Sequence, residues 1–366
     1  MVRTRSIPPF VTSRYLIREF LGIFVPIVLA FVLLYVVVDF FDRLTILLKN
    51  HAPATAALRY FLFKIPLMVT QITPPAVLTA MLVSLGMLSR RNEIIALRAS
   101  GVSLYQMAVP LLGVAALISF GTLAWNETVV PYCTREYQYV NNIEIRKRTQ
   151  RGVLNEREIW YHGADGFYNI DHIDARRQTL FGLTIYRTDP KFDLHTIVNV
   201  VSAQWSDGRW VTTDAVARTI GEDGTVVTER LDPHQVLMHE TLNDFLEVHR
   251  EPEELSYMAL RQRIQDLTRK GIDAANYLVD LHLKLAVPFA SFVLACVAVP
   301  LAGRVQRHPS VAAILLTGLV VGFTYWVILA LTNSLGTSGV LPAVISAWAS
   351  NVVFFLLGVA LFLSAE

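Results

Sequence analysis

Apolar and polar positions along this chain fall into blocks. Uncharged apolar runs at roughly 20–38, 65–88, 102–125, 285–303, 309–335 and 339–363 enclose a long polar stretch in which apolar residues recur at alternate positions. Each run is long enough to cross a hydrocarbon core about 30 Å thick as a helix. The pattern predicts a polytopic α-helical membrane protein with six transmembrane helices, three before and three after an inserted extramembrane β domain.

The second run is unusual, because Pro66, Pro74 and Pro75 interrupt it while Arg59 and Lys64 precede its apolar part. A helix over 55–88 would be about 50 Å long at ~1.5 Å per residue, enough to project beyond the membrane, and the proline pair predicts a kink. Helical spacing continues past the third run through Tyr132, Tyr137, Tyr139, Ile143 and Ile145, so that helix is expected to reach about Arg148. From Glu156 the period changes to two. Segments 157–162, 166–173, 179–187, 194–205, 209–220 and 225–231 are β-branched or aromatic and are separated by Gly, Asp and Pro, which indicates a sandwich or jelly roll. Phe167, Ile170, Phe181, Leu183, Val198 and Trp210 are among the residues expected on its inward face.

Over 252–271, Leu255, Met258, Ala259, Ile264 and Leu267 interleave with charges as in an amphipathic helix, with Glu253 or Ser256 near its start and Gly271 as its stop. A further helix begins near Asp273 and becomes the fourth span. The chain thus divides into 1–125, holding the first three spans and a short helix near 89–101; 126–272, a β-jellyroll domain with flanking helices; and 273–366, the last three spans.

Charge placement orients this frame. Arg3, Arg5, Arg14 and Arg18 precede the first run, Arg90, Arg91 and Arg98 separate the second from the third, and Arg304 and Arg307 separate the fourth from the fifth. The 333–339 loop has no Lys or Arg. By the positive-inside rule both termini and the basic loops are cytoplasmic and the β domain is exported. The first run is too long for a signal-peptide core and no small-residue cleavage site follows it, so it is expected to be retained. The two cysteines, Cys133 and Cys296, fall too far apart in this topology to form a disulfide.

Chemistry of its own is not evident. The chain has no phosphate-binding loop of the G-x-x-x-x-G-K-[ST] type, no H-E-x-x-H, no G-x-S-x-G and no Cys-x-x-Cys. The apolar runs contain no acid that would mark a proton pathway. No catalytic or metal-binding residue is assigned, and a partner must supply the energy for any uphill transport.

The stretch 85–103 carries the most specific wording. Glu93 lies near the start of a short helical pattern and Arg98 near its end, in keeping with the helix dipole, and Ser100-Gly101 closes it. Ile94, Ile95, Leu97 and Val102 offer an apolar surface suited to a groove in another protein, although an amphipathic connector with positive-inside charges has the same pattern. This stretch resembles the coupling segment of the LptF/LptG permease family of the lipopolysaccharide-export ABC transporter. Asp39-Phe40-Phe41-Asp42-Arg43-Leu44, Ile65-Pro66 with Pro74-Pro75, Lys284 through Pro288 and Gly322-Phe323-Thr324-Tyr325 also fit that family, in order over essentially the whole chain. Leu85-Gly86-Met87-Leu88, Arg98-Ala99-Ser100-Gly101 and the double aspartate after the first run are more similar to its LptG branch than to its LptF branch.

The resemblance implies a non-enzymatic permease subunit of the bacterial inner membrane, with a periplasmic jellyroll. It would pair with the paralogue LptF and sit on a dimeric ATPase, LptB, with ATP and Mg bound there and no cofactor on this chain. It would pass lipopolysaccharide from the outer leaflet of the inner membrane to a periplasmic bridge such as LptC and LptA. Glu93, Arg90, Arg91, Ile94, Leu97, Arg98 and Gly101 would then be the ATPase-coupling residues. The residues themselves add a cationic rim: Arg43, Lys49, Arg59, Lys64, Arg135 and Lys284 fall at the outer edge, where sorting by charge should leave few cations. A phosphorylated lipid headgroup would be attracted there; snorkelling, or pairing with Asp39, Asp42 and Asp280, would place them equally well. Lys64 and Lys284, next to apolar helix, are the leading headgroup candidates. Alternatives are the LptF paralogue, a permease for another anionic glycolipid, and a membrane-anchored sensor or scaffold with a ligand-binding β domain.

Overall fold

The computed structural model describes residues 9–146, 159–163, 166–174, 177–188, 194–206, 209–221, 225–232, 236, 238, 240–242, 245, 252–269, 274–304 and 310–364. Among the described residues, six helices are long and apolar enough to span a membrane: α1 (Pro9–Lys49), α2 (Ala54–Arg90), α4 (Leu104–Thr128), α7 (Ala275–Arg304), α8 (Val311–Thr337) and α9 (Ala343–Leu363). Between α2 and α4 lies the short α3 (Glu93–Ala99), and after α4 come α5 (Val130–Tyr139) and a π-helical turn, Val140–Ile145. The amphipathic α6 (Tyr257–Arg269) precedes α7.

These helices outrun the apolar runs that announce them. At 41 residues α1 extends about 60 Å, because its polar ends stay helical; hydropathy marks the membrane, not the helix termini. Helix α2 is one continuous element through Pro66, Pro74 and Pro75. Beyond α4 the backbone stays helical to Ile145, as expected, with Val129 right-handed at the junction (φ −91°, ψ −47°); the ladder is interrupted there only because Pro131, in the first turn of α5, has no N–H. Arg148, Gly271 and Asp273 lie outside the described residues.

Burial separates a central pair of helices from a surrounding layer. In α2 and α7, 72% of the most apolar window is buried, against 28% in α4 and α8, 33% in α9 and none in α1. Leu78, Met81, Leu82 and Leu85 of α2 meet Ala290, Leu294 and Ala298 of α7 in one core. Small side chains let α9 approach α7, since Ser346, Ala347 and Ser350 are buried. In α8 that part falls to glycines, Gly318 against Leu82 and Thr79, Gly322 against Leu78 and Gly336 against Ser346, whereas Ala312 and Ala313 face outward. Tyr325 donates to Asn351 Oδ1 (3.0 Å) and Asn351 Nδ2 to the Ala286 carbonyl (2.8 Å), tying α8, α9 and α7 together with polar groups that would otherwise be unpaired among apolar neighbours.

A Cβ on Gly358 would lie 3.0 Å from both the carbonyl carbon and oxygen of Cys296. That neighbour is backbone and cannot rotate away, so Gly358→Ala should lower stability by about 1–3 kcal/mol, read as a shift in unfolding midpoint in detergent.

The inserted β domain is a six-stranded antiparallel sheet in which every strand pairs with its sequence neighbour: β1 (Ile159–Gly163), β2 (Gly166–Asp174), β3 (Thr179–Thr188), β4 (Leu194–Ser206), β5 (Arg209–Ile220) and β6 (Val226–Leu231). Among the described residues this is a meander, with no crossover of the kind a jelly roll uses. The inward face differs from expectation at two places. Tyr168 and Leu180 are fully buried, while Phe167 and Phe181 are only half-buried; with a side-chain period of two, an offset of one residue exchanges the faces. Ile170, Leu183, Val198 and Trp210 point inward as expected.

Candidate functional site

One end of the bundle carries α3. Asn92, in the left-handed region (φ 59°), turns the chain from α2 into it. It closes in a Schellman motif: Val102 N–H donates to Leu97 O and Gly101 N–H to Arg98 O, with Gly101 at φ 88°. Gly101 is therefore required by the turn. Ser103 then begins α4 with a capping box, bonded reciprocally to Gln106.

This geometry sorts the expected coupling residues. Ile94, Leu97 and Val102 pack against the protein's own core, contrary to an apolar surface offered whole to a partner. A helix this short is held by tertiary packing, and these side chains supply it. Arg90, Arg91, Ile95 and Arg98 are exposed, Ile95 at 50%. Glu93 accepts a hydrogen bond from Tyr15 Oη of α1 (2.6 Å), and Arg91 lies 3.5 Å from Glu19 and 3.9 Å from Glu93. Glu93 thus holds α1 to α3 and is not a free contact.

At the opposite end, where α5 leads towards the sheet, the structure gathers part of the cationic rim. Lys64 Nζ lies 2.7 Å from Asp39 Oδ1 and 3.0 Å from Tyr60 Oη, and both charged side chains are only 11% exposed. Arg43 stacks over the Tyr60 ring at 5.6 Å, and Tyr60 packs edge-on against Tyr137. Arg59 pairs with Glu144 at 2.6 Å, while Arg135 is exposed on α5. Lys64 is consequently neutralised within the fold and lines neither cavity described below.

Lys284 meets a different environment. It lines a cavity of about 190 Å³ with Leu123, Asn126 and Glu127 of α4, Tyr257 and Met258 of α6, and Leu285. Glu127, Glu253 and Asp280 act on it electrostatically, yet no carboxylate among the described residues reaches ion-pair distance. Pro288, one turn on, has no N–H for the Lys284 carbonyl, which loosens the helix there. A second cleft, about 320 Å³ and almost wholly apolar, opens between α1, α2 and α4 beside Phe24, Val28, Val69 and Trp125. Cys133 and Cys296 are free thiols; burial, with Glu136 nearby, pushes the Cys133 thiol up, away from the reactive thiolate.

Sequence reasoning did not find Tyr15, Tyr60 or Glu127 as organising residues. Tyr15 and Glu93 are 78 positions apart, and no local spacing announces such a pair. Glu127 did leave a trace: an acid in the last turn of a helix opposes the dipole and needs a compensating partner.

The chain matches the family model described as "Lipopolysaccharide export system permease LptF/LptG" over residues 14–364. It is 23% identical over 332 residues to the lipopolysaccharide export system permease protein LptG of Escherichia coli K12, covering 88% of this chain and 89% of that protein. Its similarity to the LptG of Haemophilus influenzae is 20% over 352 residues, or 94% and 96% of the two chains.

Proposed function

We propose a function from one premise: this chain belongs to the LptF/LptG family of lipopolysaccharide export system permeases. It is a multi-pass membrane protein, and in our reading it is the LptG-type permease subunit of an inner-membrane ABC exporter. The relatives named above carry the LptG name, which favours that branch over LptF. The subunit pairs with an LptF-type paralogue, rests its cytoplasmic α3 on an LptB-type ATPase dimer that binds ATP and Mg, and directs its β domain into the periplasm towards LptC- and LptA-type bridge proteins. It extracts lipopolysaccharide from the outer leaflet and hydrolyses nothing itself.

The observation that carries this reading is the family match from end to end, α3 and both halves of the bundle included. The geometry supports it further. Helix α3 is exposed, fixed by packing on one side and presents Ile95 and Arg98 on the other, beside Arg90 and Arg91 at the end of α2, as a segment that receives motion should. Among the rim cations Lys284 is the best placed for an anionic headgroup, because it lines a cavity and no carboxylate among the described residues reaches ion-pair distance. Arg43, Arg59, Arg135 and Lys64 follow, with Lys64 available only if Asp39 releases it.

The test is purification of the tagged protein from native membranes, followed by lipopolysaccharide-stimulated ATPase assay. Wild type should bring down a paralogous permease and an ATPase, and Lys284→Ala should lower the stimulation while leaving basal hydrolysis intact. A wild-type preparation with no ATPase would overturn the exporter reading and favour a sensor or scaffold.

A further inference from the structure

Glu127, in the last turn of α4, accepts from the N–H of Tyr257 at 2.7 Å and of Met258 at 3.4 Å, 130 and 131 positions away, at the start of α6. The first turn of a helix leaves its N–H groups without intrahelical acceptors. Here the next one, Ala259 N–H, goes to Ser256 Oγ at 3.2 Å, so the opening amides of α6 are all accounted for, two of them by another element. A carboxylate is unfavourable at the C-terminus of its own helix and favourable at the N-terminus of another. Glu127 resolves the first by serving the second.

The same helix α4 begins at Ser103, directly after the turn that ends α3. Helix α6 is independently anchored to α7 by Leu260, Ile264 and Leu267, which are buried with Leu281. One continuous helix thus carries α3 at one end and grips, at the other, the segment through which the chain re-enters the membrane from the β domain.

We propose that Glu127 is a positioning residue that locks α6 to the end of α4, so that displacement of α3 reaches the exit of the β domain through this joint. The inference rests on the reading of the chain as an ATPase-driven permease. Its experiment uses the complete exporter in nanodiscs, with Cys133 and Cys296 replaced by alanine and spin labels at Thr128→Cys and Gln262→Cys, both exposed positions.

Wild type should give a narrow distance distribution that does not change when nucleotide is trapped. Glu127→Ala should broaden it and lower lipopolysaccharide release several-fold; Glu127→Gln, which keeps one acceptor, should fall between. Tyr257→Pro removes the shorter donor at a helix position that tolerates proline, and should reproduce Glu127→Ala, whereas Tyr257→Ala, which retains the N–H, should not. A plain packing role would make the two Tyr257 variants alike, and that result overturns the joint, as does unchanged distance and release in Glu127→Ala. Distances are read without substrate. Failure of the wild-type complex to release lipopolysaccharide would therefore sink the functional reading while leaving the joint measurable.

Discussion

Replacing Asp39 with alanine should lower stability by about 3 kcal/mol in reversible unfolding in detergent, near the lower end of the range for removing one partner of a buried ion pair. The Lys64–Asp39 contact is 2.7 Å long with both side chains 11% exposed, so loss of the carboxylate leaves an ammonium with little access to water. Tyr60 Oη, at 3.0 Å, still accepts one hydrogen bond and its ring lies 5.3 Å from the charge, which holds the loss to the lower end. Asp39→Leu with Lys64→Met should recover most of it, since a buried pair replaced by apolar groups of similar size is often neutral. The double variant also separates roles. If it is stable yet exports normally, Lys64 belongs to the fold and not to headgroup binding. A single Asp39→Ala variant with wild-type stability would show that the pair contributes nothing.

Ile95→Asp should weaken association with the ATPase at least ~30-fold, the effect of losing about 2 kcal/mol at an interface hot spot, measured as the ATPase concentration that half-saturates the reconstituted permease pair. Ile95 is the large apolar side chain that α3 exposes, at 50%, while its neighbours Ile94 and Leu97 turn inward onto the bundle. An apolar residue among Arg90, Arg91 and Arg98 is the natural anchor for a groove with an acidic rim. Leu97→Ala is the control: it should cost stability, because the Leu97 side chain packs against the core, and leave affinity for the ATPase largely unchanged, since the Schellman turn uses its backbone carbonyl, which alanine keeps. If Ile95→Asp binds as wild type does, the outward face of α3 is not the docking surface. Glu93→Lys is less informative, since it also breaks the Tyr15 bond that ties α1 to α3.

The β domain shows where reading by pattern succeeds and where it stops. All six strands form within two residues of the expected segments, from Ile159–Gly163 to Val226–Leu231, because alternation and turn residues are properties of neighbouring positions. Tyr168 over Phe167 as the inward residue was legible, since Tyr168 shares a face with Ile170 two positions on. Leu180 over Phe181 was not: Leu180 and Leu183 both face inward three positions apart, because the alternation is interrupted at Gly182 (φ 62°).

The candidate sites divide in the same way. Arg98, Ser100 and Gly101 announced the end of α3, since a helix stop is written in the residues that make it. The cations of the rim were also evident as a group at the outer edge. Their individual states were not, because Asp39 is 25 residues from Lys64 and Glu144 is 85 from Arg59.

Sequence by itself determined the membrane frame, the inserted β domain, the short helix between the second and third spans and the family resemblance, all of which follow from run length, period and local wording. Tertiary structure alone decided that Ile94 and Leu97 face inward while Ile95 faces out, that Lys64 is paired while Lys284 lines a cavity, and that Glu127 caps a helix 130 positions away. The physical reason is that charge and hydropathy belong to a residue, whereas burial and partnership belong to the chain folded around it.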